Sequence, residues 1–359
     1  MSRAQRTRLL TGAVTLAVAA VLACFIYLRG RAAPEVARLL PEADTILYFN
    51  LRPLRLLTCF GKSPLSHEAA YEDFVRQTGF QFERDLNEAA FAVHHSTVLP
   101  GSAKSEDEDS SRYSEVFTGR FDSEKVAAYL QKLSASMERY RAHEIYRIPY
   151  EDRVVRVSIL SPDMVAISNT ADPAAIHYMI DQYERSAWPL GGPSVLARYY
   201  HEVPFGSLAW LIRDVPQSQL PGTPTSSLAQ LLSQFLGGGA VVTSIRYTTA
   251  LHLRFDSFVT AEQSTQVAAQ LNTTLKAFRD FDKQTQPGAP DPELEAALDS
   301  IKIEPHHDRV SITATLPHDL LTKLFDASIA GQEGTLPQAP AQKQNPPRHS
   351  PGRKNNKKK

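Results

Sequence analysis

The sequence predicts an α+β protein in which one membrane-spanning helix precedes largely antiparallel sheets, with helices packed on one face. The 359 residues are 42% hydrophobic and 22% charged, which is enough apolar material for a substantial core. Residues Leu9–Leu28 form an uncharged, mostly apolar run. Strict alternation over Ile245–Phe255 indicates a half-buried strand, and apolar spacings of three and four residues elsewhere indicate helices.

The N-terminal run predicts a transmembrane anchor over residues 9–28, after a short basic arm at residues 1–8. Its 20 residues would form a helix of about 30 Å, the thickness of the bilayer core. Two alternatives stay open. A cleaved signal peptide usually has a shorter apolar core, and the region around Cys24 loosely resembles a lipoprotein box.

We expect the arm to stay in the cytoplasm and the bulk of the chain to lie outside it. Long domains cross membranes largely regardless of their charge, so a short cytoplasmic arm is the simpler topology. The predicted location is the inner membrane of a bacterium, with a single pass and a periplasmic body.

A first α+β half is predicted over residues 35–186. The predicted strands are Ile46–Leu51, Ala89–His94, Glu115–Phe121, Val154–Leu160 and Met164–Ser168. Helices are expected from His67 to Gly79, along the stripe Val126, Leu130, Leu133 and Met137, and after Asp172-Pro173.

A second half is predicted over residues 194–330, after the Pro- and Gly-rich break at Trp188–Pro193. The predicted strands are Ser207–Ile212, Ala240–Thr243, the long alternating segment Ser244–Phe255, and Val310–Leu316. The predicted helices are Ser227–Leu236, the stripe Val267, Leu271, Leu275 and Phe278, Glu293–Leu298, and His318–Phe325.

Short sequence echoes suggest that the two halves are related. Ala37–Ala43 aligns with Ala197–Val203, and an apolar strand follows each. Arg120-Phe121-Asp122-Ser123 recurs as Arg254-Phe255-Asp256-Ser257. Matches of this length also arise by chance, so both a duplication and an accidental similarity remain open.

The segment Leu40-Pro41-Glu42-Ala43-Asp44-Thr45-Ile46-Leu47-Tyr48 resembles the opening of uncharacterised bacterial membrane-anchored α+β proteins. In these a Leu-Pro element after the anchor leads into a first strand, and a strand ending like Arg120-Phe121-Asp122 opens a helix. The resemblance covers the organisation of residues 10–330. It implies a protein of that family, whose function is unknown, and it implies no catalytic or binding residues.

No complete metal-binding or catalytic constellation is present in the sequence. His67-Glu68-Ala69-Ala70-Tyr71 lacks the second histidine that a helical zinc site needs at the fourth position. Adjacent residues on a strand face opposite ways, so His94 and His95 do not form a site by themselves. The cluster Glu304–Asp308 is explained as well by a solvated turn.

The remaining signals also have structural explanations. Gly237–Gly239 follows a predicted helix and precedes a strand, the reverse of the order in a phosphate-binding loop. Cys59 lies among apolar residues, and the acidic run Glu106–Asp109 lacks the spacing of a calcium loop. We therefore predict no catalytic, cofactor-binding or metal-binding residues, and a protein that is not an enzyme.

The formal net charge is zero, but the charge is segregated. Residues 1–34 carry five arginines and residues 343–359 carry seven basic residues, both without acids, which leaves 27 basic and 39 acidic residues between them. A net charge of zero argues against a nucleic-acid partner held by bulk charge. Residues 331–359 are predicted to be a disordered tail whose cations could attract an anionic surface polymer.

The predicted function is non-enzymatic binding of a protein or surface-polymer partner by the periplasmic body. The exposed stripe of Arg246, His252 and Arg254 is a candidate contact for an anionic partner, although a solvated face explains it too. The alternative is a carrier or sensor of a small apolar ligand or lipid. Its groove would be lined by Tyr199, Tyr200, Trp210, Phe235 and Phe258.

Overall fold

The computed structural model describes residues 32–57, 69–94, 112–151, 153–185, 191–215, 239–285, 292–317 and 320. The strands are β1 (Thr45–Asn50), β2 (Leu86–His94), β3 (Arg112–Gly119), β4 (Ser136–Tyr140), β5 (His143–Tyr150), β6 (Arg153–Ser161), β7 (Met164–Ser168), β8 (Ala209–Val215), β9 (Gly239–Tyr247), β10 (Leu251–Phe258), β11 (Lys302–Pro305) and β12 (Arg309–Leu316). The helices are α1 (Glu35–Arg38), α2 (Leu51–Leu57), α3 (Ala69–Thr78), α4 (Phe82–Asp85), α5 (Ser123–Leu133), α6 (Ala174–Glu184), α7 (Ser194–Tyr199), α8 (Ala261–Thr285) and α9 (Pro292–Asp299).

All twelve of these strands form one antiparallel sheet, which confirms the α+β class. The strand order is β11-β12-β10-β9-β8-β1-β2-β3-β7-β6-β5-β4. Strand β1 lies near the middle and pairs with β2 on one side and with β8 on the other. The two segments predicted as separate halves therefore contribute to a single continuous sheet.

The same strand order occurs on both sides of the β1–β8 pair. One side begins β1-β2-β3-β7-β6 and the other reads β8-β9-β10-β12-β11, with α5 after β3 and α8 after β10. The first side continues with β5 and β4, which have no counterpart on the other side. Because β1 and β8 are antiparallel and Leu47 pairs with Leu211, a local twofold axis through this pair relates the two orders. Descent of the two halves from one duplicated unit stays a prediction.

One of the sequence echoes does not correspond to equivalent positions. Asp122 follows β3 and caps α5 by accepting hydrogen bonds from the backbone N–H groups of Glu124 and Lys125. Its sequence counterpart Asp256 lies inside β10 and is buried. The two Arg-Phe-Asp-Ser segments therefore occupy different structural positions.

Helices cover both faces of the sheet, so the expectation of helices on one face is wrong. On the tryptophan face, the side that bears Tyr48 and Trp210, residues of α1, α6 and α7 join the core. On the leucine face, the side that bears Leu47 and Leu211, residues Val126 and Leu130 of α5 pack on the sheet. The physical reason is that neighbouring strand residues are both apolar and buried, as Val116 and Phe117 are, so each face needs a cover.

Two helical stripes end earlier than predicted. Helix α5 stops at Leu133, and Met137 lies instead in β4, where it is 49% exposed. The backbone N–H of Ala135 already bonds to Arg147 O, so the chain joins the β4–β5 hairpin at this point. In α8 the ring of Phe278 is 54% exposed rather than packed.

Several predictions fall outside the described residues. These are the arm at residues 1–8, the anchor Leu9–Leu28, the helix at 227–236 and the tail at 331–359. Among the residues that the structure does describe, no helix is both long and apolar enough to cross a membrane.

Candidate functional site

Of the histidines singled out in the sequence as possible metal ligands, the structure describes His94, His306 and His307. His67 and His95 lie outside the described residues, and His306 and His307 are exposed in the turn before β12. Within the described ranges, no group of three or more His, Cys, Asp or Glu side chains is arranged to hold a metal ion. Cys59, the acidic run Glu106–Asp109, Gly237 and Gly238 also lie outside these ranges.

His94 belongs to a chain of side-chain hydrogen bonds on the tryptophan face. Its Nε2 lies 3.1 Å from Ser114 Oγ, which lies 3.3 Å from Ser168 Oγ. Ser168 Oγ in turn lies 2.8 Å from Thr170 Oγ1, and Thr170 donates to Asp172 O. The chain joins β2, β3 and β7 to the loop before α6, which is a structural role.

A cleft of about 300 Å³ lies beside the N-terminal end of α5. It is lined by Ser123, Glu124, Ala127, Ala142, His143, Glu144, Tyr146 and Ile159. Both imidazole nitrogens of His143 have partners, since Nδ1 lies 3.2 Å from Ile159 O and Nε2 lies 3.0 Å from Glu184 Oε1. In this arrangement the imidazole offers no free nitrogen to activate Ser123 as a nucleophile.

The stripe predicted from Arg246, His252 and Arg254 comes together on the sheet. Arg246 pairs with His252 across β9 and β10, and Arg254 lies two residues further along β10 on the same side. The register continues from Arg254 to Thr313 of β12 and then to Lys302 of β11. We call Arg246, His252, Arg254 and Lys302 the cationic stripe.

The cationic stripe lies on the tryptophan face, because Trp210 pairs with Ser244 and Ser244 pairs with Arg254. Arg246 and Lys302 are exposed, and the Arg254 side chain is 39% exposed. Sequence analysis missed Lys302 because it comes from another strand. Lys302 reaches the row of Arg254 only through Thr313 of β12, and a placement that depends on two cross-strand pairings leaves no signal in local alternation.

The buried carboxylate of Asp256 holds Arg254, a member of the cationic stripe, in position. The carboxylate is 1% exposed, accepts a 2.7 Å hydrogen bond from Arg254 Nε, and also accepts from the hydroxyl of Ser311. These partners compensate the buried charge and hold the Arg254 guanidinium in place. Arg254 is therefore oriented before any partner arrives.

An ion pair between Arg309 and Glu202 lies at the start of β12, beyond the cationic stripe. Arg309 at the start of β12 binds both carboxylate oxygens of Glu202, and its guanidinium lies 4.7 Å from the centroid of the Phe258 ring. Hydrogen bonds from Arg309 hold the pKa of Glu202 below its usual range. This contact attaches the short 3₁₀ helix Tyr200–Glu202 to the sheet.

The tryptophan face is apolar on β3 and β7 but polar on β10, β11 and β12. On β3 and β7 it carries the buried residues Val116, Ala166 and Met164, which belong to a core shared with α1 and α6. On β10, β11 and β12 the corresponding rows carry Arg254, Lys302 and threonines. The polar composition of this part of the face is thus a local feature and not a general property of the sheet.

Of the aromatic residues predicted to line a ligand groove, Trp210 is buried in the core, and Tyr199, Tyr200 and Phe258 are partly buried against it. The Trp210 ring lies 5.2 Å from Tyr48 and 5.4 Å from Tyr200, and the Trp210 side chain is 3% exposed. Tyr199 packs on Phe258 with ring centroids 5.2 Å apart. Phe235 lies outside the described residues.

No protein family and no curated protein matches the sequence. The solved structures that resemble the fold include crystal form I of TP0453, with 11% identity and a TM-score of 0.40, and crystal form III, with 10% identity and a TM-score of 0.43. The alignments cover 82% of this chain and 98% and 99% of those chains. At this level of similarity a shared fold does not follow.

Proposed function

We propose that the protein is a non-enzymatic, membrane-anchored envelope protein that binds an anionic partner, either a protein or a surface polymer, through the cationic stripe. The observation that carries this proposal is the exposed arrangement of Arg246, Arg254 and Lys302 on neighbouring strands. Across β9 to β12, the two rows that contain these residues include only hydroxyl side chains and His252 besides the cations. The nearest buried acid, Asp256, is already paired.

Electrostatics favours an anionic partner at this surface. The body between the two basic ends of the chain carries an excess of acidic residues, so a local group of three cations stands out from its surroundings. An anionic partner would be attracted to the stripe and repelled by the rest of the body, which favours one orientation of binding. The basic tail supplies a second cationic element for a polymer.

The proposed location rests on Leu9–Leu28 acting as an uncleaved anchor with the body in the periplasm. Cell fractionation tests this directly. The full chain should sediment with membranes and be released by detergent, whereas a variant lacking residues 1–31 should be soluble. Recovery of the full chain in the soluble fraction would contradict the anchor.

Binding to the stripe is tested with polyglutamate and dextran sulfate as anionic probes. The Arg246→Glu/Lys302→Glu variant should bind each probe at least 10-fold more weakly than the wild type, and added salt should reduce the difference. Both side chains are exposed, and replacing them leaves the Arg254–Asp256 ion pair intact.

The matched control is Arg139→Glu/Lys276→Glu, which changes the net charge equally at two exposed cations on β4 and α8. It should retain nearly full affinity. Equal losses in the two variants would mean that only net charge matters, which contradicts a defined site. A variant lacking residues 343–359 measures how much the basic tail contributes to binding of the two probes.

A further inference from the structure

Exposed apolar side chains gather at one corner of the leucine face. Six large hydrophobic residues are exposed among those that the structure describes, and three of them lie near the β4 edge. Leu133 at the end of α5 is 42% exposed, Met137 in β4 is 49% exposed and Tyr150 in β5 is 62% exposed. Single exposed apolar residues are ordinary, but a group of them indicates an interaction surface.

The strand register places these residues on a common face. Met137 pairs with Tyr146, and Ile148 and Tyr150 follow at alternate positions of β5, so all four side chains lie on the same side. Ile148 pairs with Val155 of β6. The row that starts at Met137 runs through Tyr146, Val157 and Ile167 to Glu115 of β3.

Helix α5 covers only part of this region. Its residues Val126 and Leu130 join Tyr146 and Val157 in a buried cluster. Ile148, Val155 and Ile167 lie at the margin of that cluster and are only partly buried. We call the surface formed by Leu133, Met137, Ile148, Tyr150, Val155 and Ile167 the apolar strip. It extends alongside α5 from the sheet edge toward β3.

A single carboxyl group lies at the inner end of the apolar strip. Glu115 is flanked by Phe91 on β2 and Ile167 on β7. Burial in this apolar setting raises the pKa of Glu115 to about 7. A carboxyl group placed in this way gains most from a partner that brings a hydrogen-bond donor or a positive charge.

We propose that the apolar strip and Glu115 form the docking site for an amphipathic helix of a protein partner, whose apolar face carries one lysine or arginine that reaches Glu115. Four strand spacings separate β4 from β3, which corresponds to about 19 Å. A helix rising 1.5 Å per residue covers that distance in about 13 residues. This is the length of an ordinary helical recognition segment.

A second copy of this chain is the competing occupant of the strip. In a twofold contact each strip would face the other, and Arg153, which pairs with Tyr150 and lies on the same side as Val155, would be the cation available to Glu115. Self-association is therefore one of the outcomes that the test distinguishes. The inference does not depend on the cationic stripe, which lies on the opposite face of the sheet.

The test uses the full chain in lipid nanodiscs and a displayed library of random 16-residue peptides as the probe. We expect the selected peptides to share apolar residues at helical spacing together with one lysine or arginine. Binding of synthetic copies should fall at least 10-fold on the Met137→Ser/Tyr150→Ser variant. Both side chains are exposed, so the fold should tolerate these changes, and circular dichroism checks that it does.

Glu115→Gln separates the charge contact from apolar packing. Replacing the basic residue of a selected peptide by glutamine should weaken its binding to the wild type about 10-fold but change binding to Glu115→Gln little. Selected peptides that bind Met137→Ser/Tyr150→Ser as tightly as the wild type would overturn the proposal. So would a library that yields no binder, or self-association of the chain that this double variant abolishes, which would assign the strip to a second copy.

Discussion

Two carboxyl groups of the sheet, the buried Asp256 and the partly buried Glu115, have opposite environments. Asp256 on β10 is held by Arg254 and Ser311, so its negative charge is compensated inside the fold. Glu115 on β3 lies between Phe91 and Ile167, and burial alone accounts for its raised pKa. The charged form of Glu115 should therefore destabilise the protein.

Replacing Glu115 by glutamine should change how stability depends on pH. The pKa of Glu115 rises from 4.5 to about 7 on folding, so the folded state binds more protons between these values and the free energy of unfolding falls as pH increases through this window. Glu115→Gln removes this loss, which amounts to at most about 3 kcal/mol. Urea unfolding at pH 4 and pH 8 measures the effect.

The control for that experiment is Glu72→Gln, which changes an exposed carboxyl group on α3. Its pH profile should follow that of the wild type. If Glu115→Gln also follows the wild-type profile, the carboxyl group is not desolvated in solution.

The two Arg–Asp contacts of β10 and β12 allow a matched comparison of burial. Asp256→Ala should lower the free energy of unfolding by about 2–4 kcal/mol, because it leaves Ser311 and Arg254 without their buried acceptor. Asp308 contacts Arg309 Nε at 3.0 Å but is 59% exposed, so Asp308→Ala should change stability by less than about 0.5 kcal/mol. Chemical denaturation of both variants provides the measurement, and equal effects would contradict the burial argument.

At the scale of elements, helix α6 is attached to the β4–β5 hairpin by three polar side-chain contacts. Glu138 lies 2.9 Å from His177, Arg141 lies 2.5 Å from Asp181, and His143 lies 3.0 Å from Glu184. The helix residues of these pairs are four and three positions apart, so they lie on one face of α6. The hairpin at the sheet edge is thereby attached to the helix layer on the tryptophan face.

Removing the His177 imidazole should loosen the attachment of the β4–β5 hairpin to α6. The His177 ring stacks on Tyr140 with centroids 4.0 Å apart and also contacts Glu138, so His177→Ala should cost about 1–2 kcal/mol. Hydrogen exchange should accelerate at β4 and β5 more than at β1 or β8. The control is His201→Ala, since His201 is 69% exposed, and similar exchange in both variants would argue against a local role of His177.

Some elements could be predicted from the sequence because local patterns determine them. The predicted strands Val154–Leu160 and Met164–Ser168 correspond to β6 and β7, since alternation and a Ser-Pro-Asp turn define both. The β4–β5 hairpin was missed because Leu133 and Met137 continue the helical spacing of Leu130. Tertiary pairing of Ala135 with Arg147, which local spacing does not encode, ends the helix there.

The candidate sites were less accessible to sequence analysis than the strands. Arg246, His252 and Arg254 lie close together in the sequence, and alternation predicted a shared face. The single strand predicted over Ser244–Phe255 is instead the end of β9, a turn and part of β10, and Arg246 meets His252 by pairing across these two strands. Lys302 and Glu115 acquire their roles only through pairing with distant strands. The order of strands in the sheet depends on contacts between segments far apart in the chain, and these leave no periodic signal.

At the scale of the whole molecule, the continuous sheet predicts one cooperative unfolding transition for residues 35–316. Trp210 lies at the centre, where it stacks on Tyr48 of the neighbouring strand and contacts Tyr200. Because the β1–β8 pair joins the two sides, neither side has a complete core without the other. Far-ultraviolet circular dichroism and tyrosine fluorescence should report the same midpoint.

Trp210→Ala should lower the stability of the entire sheet by about 3–5 kcal/mol, because the side chain is 3% exposed and a cavity would remain. Both probes should shift together in this variant. Two separate transitions, with only the signals near β8 affected, would show that the two sides unfold independently.

The central position of β1 has a consequence for synthesis of the chain. Its partner strand β8 ends at Val215, 165 residues after the end of β1 at Asn50. At about 5–20 residues per second, a ribosome needs roughly 10–30 s to deliver that partner. Throughout this interval the nascent polypeptide presents a one-sided apolar strand, so chains stalled before Ala209 should bind chaperones and remain sensitive to protease within β1.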